Sequence, residues 1–153
     1  MDRILVKNIT ILSLILGLAL GILAPIPFIG MIMLFILLLG SAPLVMVYLI
    51  MDGKLELTTT KDSILTGALT GFMANITFSI AYCVVMVILS KGFHYTPNFF
   101  LTAMIENSPV WLLGTFIIFL GVLCATTNAF AGFVTYYIIN FIRDIYENNH
   151  KNN

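Results

Sequence analysis

From Asn8 to Met51 the chain carries no Asp, Glu, Lys, Arg or His. A run this apolar cannot fold as the amphipathic surface of a soluble domain, because it has no polar face to give to water. Two later stretches, Ser63 to Ser90 and Val110 to Ile142, are equally free of charge. Charged residues make up 9% of the sequence and hydrophobic residues 60%, with a mean hydropathy of +1.06. A soluble domain carries about 25% charged residues. The solvent for this chain is lipid, and the expected class is an all-α transmembrane bundle.

A helix needs about 20 apolar residues to cross the bilayer core. The first charge-free run exceeds one crossing, and APIPFIG (Ala24 to Gly30) interrupts it with two prolines and a glycine. It divides into spans of about residues 9–24 and 28–50 joined by a tight turn. Spans of about 63–90 and 110–142 follow, Asp62 being a plausible N-cap for the third and Ser108-Pro109 a start signal for the fourth. A cytoplasmic tail, 143–153, closes a single transmembrane domain. The fourth segment is longer than the bilayer requires, so it must tilt, project or break. A cleaved signal peptide is the rival reading of the N-terminus. The run is long for one, and the residues before Pro25 make a poor cleavage site, so the first span is expected to remain.

Orientation follows the positive charges. Arg3, Lys7, Lys54, Lys61, Arg143 and Lys151 lie on one side of the four spans and only Lys91 on the other. The expected threading puts both termini and the loop 51–62 in the cytoplasm of a prokaryotic cell, with the protein in its cytoplasmic membrane. In the opposite loop, Thr96-Pro97 reads as a cap and first helical position. Phe100, Leu101, Met104 and Ile105 would then form the apolar face of a short interfacial helix. That helix is either a plain interfacial linker or a lid or docking surface for a partner.

Small residues recur along the spans. Ser13, Gly17 and Gly21 mark the first, and Ser63, Gly67, Gly71, Asn75, Ser79 and Cys83 the third. On the fourth, Gly114, Gly121, Asn128 and Thr135 fall every seventh residue, with Gly132 beside them. Such stripes let helix backbones approach closely in lipid, where no hydrophobic drive brings helices together. They are assigned to helix packing, and Gly71 to the interface of the first and third spans. Pro43 is expected to kink the second span, eased by Gly40 and Ser41. The segments SLILGLALGILAPIPF and SILTGALTGFMANITF match at six of sixteen positions, fifty residues apart. APLVMVYLI also resembles AGFVTYYII. Duplication would give two parallel helical hairpins.

The intramembrane polar residues are Asn75, Thr126, Thr127 and Asn128. An amide in a span normally faces protein or a wet cavity. Asn75 is weighed as an interhelical hydrogen bond against a pore contact. Thr126, Thr127 and Asn128 could cap a break or bond their own helix, and Asn128 could pair with Asn75 or another subunit. No Asp, Glu, Lys, Arg or His lies in the middle of any span, which disfavours proton relays and ion-coupled exchange. No P-loop, HExxH or GxSxG occurs, Cys83 and Cys124 lack metal-ligand spacing, and the net charge is zero without a basic patch. No catalytic residue, cofactor, metal or nucleic-acid partner is expected. Partners would be the bilayer and either further copies or a larger membrane complex.

The order of motifs (a GxxxG first span, a PxPF turn, a kinked second span ending AxxxxxY, and a second GxxxG span) resembles the small four-span prokaryotic membrane proteins of unknown function. That resemblance covers most of the chain and implies a fold without an activity. Two functional classes remain. One is a structural or interaction subunit that packs through its small-residue faces. The other is a small oligomeric channel or transporter with a polar path near Asn75 and Asn128.

Overall fold

A computed structural model describes residues 3–55 and 59–151. Glu56 and residues 152 and 153 of the expected tail lie outside the described residues. The chain is helical: α1 (Arg3–Leu23), α2 (Ile29–Met51), α3 (Thr60–Phe93), a short α4 (Phe99–Asn107) and α5 (Val110–Lys151). All but α4 are long and apolar enough to cross a membrane, and among the described residues there is no strand. These are the features of a multi-pass membrane protein.

Several boundaries differ from the sequence reading, each for a local reason. α1 begins at Arg3, before the charge-free run, because nothing around Lys7 and Asn8 breaks a helix. α3 is capped by Thr59 rather than Asp62. The Thr59 hydroxyl accepts from the Asp62 N–H at 3.2 Å and donates to the Asp62 carboxylate at 2.8 Å, so Asp62 occupies the third helical position of a reciprocal cap. His94, at φ 53°, ends α3 in the left-handed conformation. In the following loop Asn98 supplies the α4 cap, accepting from the Leu101 N–H at 3.1 Å. The Thr96-Pro97 pair precedes the helix instead of opening it.

α5 neither breaks nor stops at Ile142. It runs unbroken for 42 residues, about 63 Å against a hydrocarbon core of about 30 Å, which is longer than a perpendicular crossing needs. α2 holds the main irregularity. Residues Ile36–Gly40 form a π-helical turn just before Pro43, where proline removes a backbone donor. The expected distortion of the second span therefore takes the form of a widened turn upstream of the proline.

α3 is the axis of the bundle. Gly17 and Gly21 of α1 lie against the backbones of Ala74 and Phe78 on α3. Both contacts advance in the same direction, so α1 and α3 run parallel. On another face of α3, Gly67 and Gly71 meet the carbonyls of Asn128 and Cys124, and Gly132 meets that of Ser63. These pairs run in opposite directions, and α3 and α5 are antiparallel. A Cβ added at any of these five glycines would lie closer than 3.0 Å to a neighbouring helix. Backbone-to-backbone approach this tight requires glycine. A buried apolar cluster of Ile9, Ala42, Val45, Met46, Leu49 and Leu55 joins α1 to α2 toward the chain termini. A second, built on Leu20, Leu37, Ala74, Phe78 and Cys124, fills the middle.

Candidate functional site

Two places concentrate polar or concave features: a girdle of amides at mid-bundle and a cavity beneath α4. The girdle begins with the defect in α2. Opening a helix into a π turn and then placing a proline strands main-chain groups inside the protein, and an unpaired group there costs about 1–3 kcal/mol. Asn128 of α5, fully buried, supplies the missing partners. Its Oδ1 accepts from the Ala42 N–H at 2.9 Å. Its Nδ2 donates to the carbonyls of Leu37 at 3.0 Å and Leu38 at 3.1 Å, and to Cys124 of its own helix at 3.0 Å. Two N–H groups serve three acceptors, so at least one is shared. The side-chain amide acts as a peptide group inserted into a gap of the neighbouring helix. Ser41 completes the repair, donating to Leu37 at 3.1 Å and Ile36 at 3.2 Å.

Asn128 therefore pairs with neither Asn75 nor a second subunit; its partners are the backbone of α2. Asn75 makes weaker bonds toward α5. Nδ2 donates to the Ile117 carbonyl at 3.2 Å, and Oδ1 accepts from the Cys124 thiol at 3.4 Å. Thr126 and Thr127 do not join this girdle. Thr126 is exposed and donates to Val122 at 2.9 Å, and the half-buried Thr127 donates to Leu123 and Cys124. These are bonds to their own helix, which stays continuous.

The packing residues separate by neighbour. Gly71 is a correction: it faces α5, beside Cys124 and Asn128, rather than α1. Gly114 is another, since nothing lies within 4 Å of the position its Cβ would take. Gly121 sits on the Phe72 ring. Ser63 donates to the Gly132 carbonyl at 3.2 Å, tying α3 to α5, and Ser13 donates to Ile9 within α1 at 2.6 Å. Thr66 and Thr70, missed by the sequence reading, are fully buried with hydroxyls that lack a partner. A rotation about χ1 would bring each toward the carbonyl one turn back.

The cavity has a volume of about 430 Å³. It lies where the α1–α2 turn, α3, α4 and the start of α5 meet. Proline and backbone geometry create it. The turn at Pro25 to Phe28 holds Phe28 at φ 66° with its ring 94% exposed, which keeps the chain from closing over α3. No charged side chain lines the cavity. Its polar lining is Ser79, Tyr82, Cys83 and Asn98, and Asn98 is engaged as the α4 cap.

Among the described residues no three His, Cys, Asp or Glu side chains come together as a metal site would require. Comparison with protein-family models, with curated proteins and with solved structures gives no match to this chain.

Proposed function

We propose that this protein is a non-catalytic structural or interaction subunit of a prokaryotic cytoplasmic membrane, with both termini and the loop 51–62 in the cytoplasm. The observation that carries this reading is the state of Asn128. A residue lining a path for solute must leave hydrogen-bonding capacity facing that path, as intramembrane polar groups in transporters do. Asn128 spends its capacity on main-chain groups of α2 and α5. Asn75 likewise turns to α5. The amides that would mark a channel are consumed in holding helices together.

The close-packed glycine faces are also consumed within the chain, so association with another subunit falls to other surfaces. The outward face of α5, with Phe119, Phe130 and Phe141 exposed, is the surface proposed for it. The threading rests on six Lys and Arg residues against one.

The channel reading is tested with purified protein in liposomes, by measuring conductance and the flux of small ions and neutral solutes. The expected result is flux equal to that of protein-free vesicles. A robust flux abolished by Asn75→Leu, in a variant that still inserts, would overturn the proposal.

A further inference from the structure

We infer that the cavity beneath α4 binds a neutral, membrane-dissolved single-chain amphiphile whose one oxygen function, a hydroxyl or carbonyl, hydrogen-bonds to Ser79 and Tyr82. Three observations converge on that chemistry. The lining is apolar and uncharged throughout, so neither a charged solute nor a phosphate headgroup would find a counter-charge there. Ser79 is 8% exposed and lines the cavity, yet its hydroxyl has no hydrogen-bond partner among the described residues. The hydroxyl of Tyr82, one turn further along α3, also lacks a partner among them, while its ring is fixed by stacking on Phe78 at 5.9 Å. Ligand sites of about 300–1,000 Å³ that combine apolar walls with a few convergent polar groups are the usual form of a small-molecule pocket.

The uncharged lining and its two hydroxyls decide the ligand's class. Ser79 lies near the level of the α1–α2 turn, next to Phe78, which meets Gly21 close to the end of α1. A phospholipid would bring either a charged headgroup that this lining does not pair or an alkyl chain that leaves both hydroxyls unpaired. An alcohol or ketone entering laterally from the bilayer can bring its oxygen to them, with its chain lying along Leu101, Met104, Ile105 and Phe116. α4, whose Glu106 carboxylate accepts from Ser90 at 2.8 Å, forms the roof.

The test uses the full chain in phosphatidylcholine vesicles with a diazirine-bearing hexadecanol as photolabel. Label is expected on residues 97–105 and 113–120, and hexadecanol should compete about fivefold better than hexadecane, the ratio that one hydrogen bond gives. Tyr82→Phe and Ser79→Ala each remove a hydroxyl without adding bulk, and in the double variant the alcohol should lose that advantage. Ile105→Trp, on the short roof helix, should block labelling of the cavity by filling it. Label spread evenly over all lipid-facing helices would overturn the inference and point to phospholipid filling the space. Equal competition by alcohol and alkane would overturn it as well. Neither result bears on solute flux, so this inference and the proposed function fail separately.

Discussion

Asn128 is the residue on which the interior turns. Asn128→Leu keeps the volume but strands the Ala42 N–H and the Leu37 and Leu38 carbonyls. The expected loss is about 2–3 kcal/mol in an unfolding titration in mixed micelles. Asn75 makes one ordinary bond and one to a thiol. Asn75→Leu should cost about 0.6 kcal/mol, the average for an interhelical hydrogen bond in a membrane protein. Equal effects at the two sites would contradict the assignment of Asn128 as the repair of α2. The sequence pointed to both amides because polar groups are rare within apolar runs. It could not supply Asn128's partners. Those arise from a π turn in another helix, and that turn comes from Gly40 and Pro43 acting together rather than from any residue near Asn128.

At the level of elements, the four spans were legible because charge-free runs and a proline turn are local signals. Which element each small residue meets was not. A four-residue spacing defines a face of a helix but says nothing about its neighbour, and α3 presents one face to α1 and another to α5. Gly71→Leu should therefore disturb the α3–α5 seam. Faster hydrogen exchange along residues 121–132, with residues 13–21 of α1 unchanged, is the expected pattern; the reverse pattern would return Gly71 to the α1 interface. Gly114→Leu, placed in open space, should alter stability by less than about 0.5 kcal/mol. A larger loss would mean that Gly114 has a neighbour after all. The extent of α5 was partly legible. Its apolar segment was read as over-long, but continuation through Lys151 depends on the absence of any Gly or Pro after Gly132.

For the whole molecule, the mid-bundle amides of Asn75 and Asn128 are spent on joining helices, and a dry middle is the expected consequence. The cavity under α4 lies to one side of that middle and does not change it. No sequence signal could have revealed the cavity, because its walls come from four separate segments brought together by the turn at Pro25 to Phe28. A buried reporter already stands where a channel would have to pass: Cys124, 3.4 Å from Asn75 and in the turn preceding Asn128. Replacing the cavity-lining Cys83 with serine leaves Cys124 as the single thiol. The decisive measurement is its modification by a membrane-impermeant thiol reagent applied to both sides of proteoliposomes. No modification is expected until the protein is unfolded in detergent, whereas rapid modification of the folded protein from either side would reveal water at the core and overturn the dry middle.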